Sequence, residues 1–144
     1  MENEVTMNQV EQVDQVEQVV NEAIVDDIAR WKQMFKKVYE VDIMDDTYIY
    51  RGITRPEVRR ISQEAGKKIT QLRATNTSEA EAQEIVAELM QEMQVRMCTL
   101  FPDLSMIDFN DPNSPLSLAG VIPSLTQAID EASGANITIL PREL

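Results

Sequence analysis

The residues best suited to chemistry in this chain are basic and aromatic, and they are concentrated in its middle. Eleven of the thirteen Lys and Arg residues lie between Arg30 and Arg73, and five of the seven aromatic residues lie between Trp31 and Tyr50. Residues 1–29 carry a net charge of −8, residues 30–73 of +5 and residues 74–144 of −9. Basic side chains among aromatic ones can dock a partner protein or bind single-stranded nucleic acid, or they can pair with the chain's own acidic ends.

Docking of a partner protein is the favoured interpretation of the basic and aromatic stretch, with residues 31–60 as its surface. The candidate partner-binding residues are Lys32, Lys36, Tyr48, Tyr50, Arg51, Arg55, Arg59 and Arg60. Trp31 and Phe35 continue the apolar stripe of a helix and are predicted as core residues instead. A net charge of −12 opposes contact with phosphates or anionic lipids, so neither a nucleic acid nor a membrane is an expected partner.

The sequence offers no catalytic or metal-binding pattern. It contains no His, which removes the usual general base and the commonest metal ligand. The single Cys98 falls on an apolar helix face and is predicted to be a buried, inert thiol. The four glycines form no phosphate-binding loop, and Asp45 and Asp46 are interpreted as turn residues. We therefore expect no enzyme activity, no metal and no cofactor.

The N-terminal segment has a repetitive composition. Residues 8–19 repeat a tripeptide of the form Asn/Glu/Asp-Gln-Val. A period of three drifts around a helix of 3.6 residues per turn, so the Val residues form no continuous stripe. Residues 1–19 are predicted to be a low-complexity, frayed or disordered segment. The chain shows no secretory signal at residues 1–4 and no long apolar run, which predicts that the protein is intracellular when made.

Apolar periodicity and turn residues predict a mainly α fold: a small helical domain over residues 20–134 with one inserted β-hairpin near residues 38–53. Capping boxes at Thr54–Glu57 and Ser78–Glu81 begin two helices, and Pro102 stops the second. The other expected elements are a helix over residues 20–37, a loop over 102–115, a last short helix with Pro123 in its first turn and Ser133-Gly134 at its C-terminal cap, and a tail over 135–144 in which residues 136–140 have the composition of a strand. Met90, Met93 and Met97 share one helix face, where they fill the core or form an adaptable binding surface.

Several short motifs resemble small proteins encoded with the tail genes of contractile-tailed bacteriophages. The matching motifs are Trp31-Lys32, Val38-Tyr39-Glu40-Val41, Tyr48-Ile49-Tyr50-Arg51, Thr54-Arg55-Pro56-Glu57, residues 98–102 and Ala119-Gly120-Val121-Ile122-Pro123 with Leu125, Ile129, Ser133 and Gly134. The resemblance covers residues 30–134. This chain departs from the pattern at Ala135-Asn136, where an aromatic residue is usual, and in its Gln-Val repeat.

The resemblance implies a tail assembly chaperone or a baseplate hub or baseplate assembly protein, which binds phage tail or baseplate proteins. It implies no enzyme, and it implies a location in the host-cell cytoplasm or in the tail of the virion. The alternatives are a structural baseplate subunit that stays in the virion and, from another class, a small nucleic-acid-associated or regulatory protein.

Overall fold

The computed structural model describes residues 24–134 of the chain, which divides into two units, Met1–Val38 and Tyr39–Leu144. In the first unit, residues 24–34 form helix α1, and the chain bends at residues 35–36. The helix therefore ends a little before the end predicted near Lys37. Trp31 and Phe35, predicted as core residues, are only half-buried. The predictions for residues 1–19 and 135–144 lie outside the described residues.

A β-hairpin opens the second unit. Strands β1 (Tyr39–Ile43) and β2 (Asp46–Tyr50) pair antiparallel, with Tyr39 opposite Tyr50 and Ile43 opposite Asp46. The hairpin turn is Met44-Asp45, one residue earlier than expected, and both residues have positive φ, 50° and 72°. Positive φ at both central positions matches the twist of two-residue hairpin turns.

A third strand, which is not among the predicted elements, completes the sheet. Strand β3 (Thr99–Phe101) pairs antiparallel with β2, so the strand order is β1-β2-β3. The last three residues of β2, Tyr48, Ile49 and Tyr50, are all buried. Since successive side chains of a strand point to opposite faces, both faces of the sheet are covered at this strand. The peptide bond that follows β3, Phe101-Pro102, is cis.

The two longest helices, α2 (Arg55–Ala74) and α3 (Glu79–Cys98), form a helical hairpin. The capping box predicted at Thr54 and Glu57 is present, and the Ser78 side chain accepts the backbone N–H of Glu81 at the start of α3. These caps satisfy N–H groups that have no partner within the helix. The predicted starts of both helices are therefore confirmed.

The main core lies between the sheet, the C-terminal half of α3 and helix α4 (Val121–Ala132). Its buried members are Tyr48, Tyr50, Val95, Cys98, Leu104, Phe109, Leu116, Val121, Leu125 and Ile129. The segment predicted as a loop, residues 102–115, contributes two of them and is followed by a short 3-10 helix (Pro115–Ser117). The Arg96 guanidinium holds this segment: it lies 3.9 Å from the centre of the Phe109 ring and donates to the Leu104 carbonyl at 2.6 Å.

The predicted fold class is confirmed: the chain is mainly α with an inserted β-hairpin, and that hairpin belongs to a three-stranded sheet. None of the helices within residues 24–134 combines the length and apolar character needed to cross a membrane.

Candidate protein-binding surfaces

The hairpin tyrosines are core residues, which corrects the prediction that they contact a partner. Tyr48 is 2% exposed and Tyr50 is 8% exposed, and both pack in the main core. Burial raises the pKa of each phenol above its usual value. Tyr50 also stacks on Tyr39, with ring centres 5.7 Å apart. Neither side chain presents an exposed ring on which a nucleic-acid base could stack.

Arg51 is a structural residue, which corrects its assignment to the docking surface. Its Nη1 and Nη2 atoms donate to the two Glu57 carboxylate oxygens at 2.8 and 2.7 Å, a bidentate pair whose side chains are only 12% and 17% exposed. Nη2 also donates to the Met97 carbonyl at 3.0 Å. Arg51 thus joins the end of β2 to the start of α2 and the end of α3.

The contact with Arg51 also changes the pKa of the Glu57 carboxyl. The hydrogen bond from Arg51 lowers the pKa of the Glu57 carboxyl from 4.5 to about 2, against the opposing effect of burial. Glu57 also accepts from the Thr54 backbone N–H at 3.1 Å and from the Thr54 hydroxyl at 2.8 Å. One carboxylate therefore serves both the helix cap and the contact between elements.

Cys98 is buried, as predicted. Its side chain belongs to the main core, and burial raises the pKa of the thiol to about 12, although Arg51 opposes that rise. A thiol with this pKa carries almost no thiolate near neutral pH, and the thiolate is the reactive form. The prediction of a buried thiol is confirmed.

The remaining predicted docking residues are exposed. Arg55, Arg59 and Arg60 lie on the first two turns of α2, while Lys32 and Lys36 are exposed in the first unit. None of the ion pairs found within residues 24–134 involves any of these five residues. The structure therefore reduces the predicted surface in the second unit to three arginines on one helix.

Val58 directly precedes Arg59 on α2 and is 48% exposed. The buried residues of that helix are Ile61 and Ala65. An exposed aliphatic side chain next to an arginine combines the apolar contact and charge found at the centres of protein interfaces.

The methionines of α3 do not behave as one group. Met97 packs against the main core, Met93 is half-buried and Met90 is 38% exposed. Core filling thus describes Met97, whereas Met90 adds to the exposed surface of the α2–α3 hairpin.

The carboxylates of the hairpin show no metal-binding arrangement. Within residues 24–134, no group of three or more His, Cys, Asp or Glu side chains is placed to hold a metal ion. Asp42 instead accepts a hydrogen bond from the Thr47 hydroxyl at 2.6 Å. Asp45 lies in the turn, as predicted, while Asp46 begins β2.

Comparisons with protein-family models, curated proteins and solved structures found no match to this chain.

Proposed function

We propose that this chain is an assembly chaperone of a contractile phage tail or its baseplate, and that it works by binding a tail protein through the arginine face of α2. The face consists of the exposed residues Arg55, Val58, Arg59 and Arg60 at the start of the helix. Two independent supports are available: the motif resemblance over residues 30–134 and the exposure of these four side chains.

The proposal rests on the exposed arginines of α2, whose charges do not stabilise the helix itself. Arg55 and Arg59 are four residues apart, a spacing at which like charges on a helix repel. Arg55 also lies in the first turn, where the helix dipole favours acidic side chains. An acidic partner surface would relieve both effects, so the chemistry of this face selects an acidic protein.

The test is capture of a tail or baseplate protein by the full-length, tagged chain in cells infected by a contractile-tailed phage that encodes it. We expect the R55E/R59E/R60E variant to capture about tenfold less of the same protein, because reversed charges oppose docking. The matched control is K67E/K68E/R73E, which changes the net charge equally on the C-terminal half of the same helix. Loss of capture in both variants, or in neither, would remove the arginine face as the docking site.

Two further measurements separate this function from its alternatives. Capture that disappears after nuclease treatment would indicate a nucleic-acid bridge and contradict direct protein docking. An assembly chaperone leaves before the particle is complete, so the chain should be absent from purified virions. Its presence there in stoichiometric amount would identify it as a structural baseplate subunit instead.

A further inference from the structure

A second surface of the same unit has the opposite charge and contains an apolar cleft. The cleft, of about 320 Å³, lies between the hairpin and residues 101–116. Its apolar walls are Tyr48, Phe101, Pro102, Ile107, Pro115 and Leu116. This volume is at the lower end of ligand-binding pockets, and it suits one or two apolar side chains better than a cofactor.

The border of the cleft is acidic. Asp45 and Asp46, both exposed, line it on the side of the hairpin. The two segments that build the cleft and its surroundings, residues 39–50 and 99–120, contain seven Asp and Glu residues and no Lys or Arg. The cation that reaches this region from α3, Arg96, is directed at the Phe109 ring and the Leu104 carbonyl. A phosphate-bearing ligand or an anionic lipid would therefore meet repulsion, whereas a basic segment would meet attraction.

Two exposed methionines adjoin the cleft residues in sequence. Met44, 64% exposed, precedes Asp45, and Met106, 94% exposed, precedes Ile107. Met44 also has a positive φ of 50°, a backbone conformation that is uncommon for residues other than glycine. Methionine side chains adapt to partners of different shape, so they can extend an apolar contact beyond the cleft itself.

We infer that this cleft is a docking site for a short segment of a partner protein in which an apolar side chain is flanked by Lys or Arg. The apolar side chain would enter the cleft between Phe101, Ile107 and Leu116, and the basic neighbours would lie against Asp45 and Asp46. This site shares no residue with the arginine face of α2, so the inference stands whether or not the proposed function is correct.

The experiment selects binders of the full-length chain from a library of short random peptides and measures their affinity by fluorescence polarisation. We expect the selected peptides to place Leu, Ile, Phe or Met beside Lys or Arg. Replacement of the exposed cleft residue Thr47 by Trp should fill the cleft and abolish binding, whereas T47A should retain it. Selected peptides without this pattern, or equal binding to T47W and T47A, would overturn the inference.

The contribution of the acidic border is tested separately. D45N/D46N should lower the affinity for the selected peptides about fivefold, because it removes two carboxylates at the cleft. The control E84Q/E88Q removes the same charge from two exposed positions of helix α3 that do not line the cleft, and should change the affinity little. Asn suits the positive φ at position 45, so the turn is preserved. Equal effects of the two variants would contradict a specific contact with Asp45 and Asp46.

A second copy of the chain is the competing occupant. Light scattering of the wild type and of T47W distinguishes it. A wild type that self-associates and becomes monomeric on the T47W substitution would assign the cleft to self-assembly and overturn the proposal of a partner segment.

Discussion

Arg51 and Arg55 are four residues apart and have opposite roles. Arg51 is held by Glu57 and by the Met97 carbonyl, whereas Arg55 is exposed on α2. Both are arginines in the same basic stretch of the sequence, so residue type alone does not show which of them is buried. The difference arises from position: Arg51 follows a buried strand that leads it between α2 and α3, while Arg55 begins a helix whose buried face is set by Ile61 and Ala65.

The ion pair predicts a dependence of stability on pH. The Glu57 pKa is lower in the folded chain, about 2, than its ordinary value of 4.5. The stabilisation is therefore complete above about pH 5 and is lost as the pH falls toward 2. We expect Glu57→Gln to lower the free energy of unfolding by about 3 kcal/mol at pH 7, and this deficit to shrink steadily below pH 5. Urea unfolding of the wild type and of Glu57→Gln between pH 7 and pH 3 measures this difference in the free energy of unfolding. A deficit that does not change with pH would show that the carboxylate charge contributes nothing.

At the scale of elements, the chain is held together where termini of strands and helices meet. The Ile53 backbone N–H donates to the Ser133 hydroxyl at 2.7 Å, which links the segment after β2 to the end of α4. Gly52 allows this approach: a Cβ atom there would lie 3.0 Å from the Ala132 carbonyl oxygen and 3.1 Å from the Ser133 Cα. Both obstacles are backbone atoms, which cannot move without displacing the end of α4.

Two glycine substitutions are expected to have opposite effects. Gly52→Ala should destabilise the chain by about 1–3 kcal/mol, as overpacking does. Gly66 lies inside α2, where an added Cβ meets no atom within 4 Å. Gly66→Ala should therefore stabilise it by about 0.5–1 kcal/mol, since Ala is the better helix former. Thermal and urea unfolding of the two variants and the wild type show whether each substitution raises or lowers the free energy of unfolding. A neutral Gly52→Ala would mean that α4 can shift away from this contact at little cost.

At the scale of the whole molecule, a net charge of −12 conceals two surfaces of opposite sign. The arginine face of α2 and the acidic cleft are built by different elements of the second unit. Their partners should differ in charge accordingly, and one chain could connect an acidic tail protein to a basic segment of another.

The two surfaces are expected to bind independently and to respond differently to salt. The R55E/R59E/R60E variant should bind the cleft peptides as the wild type does, and T47W should still capture the tail protein, because sites without shared residues act additively. Capture through the arginines should weaken strongly as salt is raised, since exposed charges are screened, whereas apolar contact in the cleft is less sensitive. Parallel capture and polarisation measurements over a salt series test this. Loss of both activities in either variant would show that the surfaces are coupled.

The described helices and the hairpin could be predicted because their signals are local. Thr54 and Glu57 form a helix cap three residues apart, and the alternation of residues 39–43 predicts a strand from neighbouring residues alone. The burial of Cys98 followed from its place on an apolar helix face. The docking surface was only partly predictable, since Tyr48 and Tyr50 have the residue types of an interface but are buried.

Local patterns in the sequence were enough to predict the mainly α fold class, the starts of α2 and α3, the hairpin and the positions of charge, because caps, periodicity and composition act over a few residues. Three features emerge only in the folded chain: Thr99–Phe101 joins the sheet, Arg51 faces inward, and an apolar cleft opens beside Asp45 and Asp46. These features depend on contacts between distant residues: Arg51 and Met97 are 46 positions apart, and Ile53 and Ser133 are 80 apart. Which of the basic and aromatic side chains between residues 31 and 60 become buried is settled when such segments pack, because the buried and the exposed ones share the same residue types.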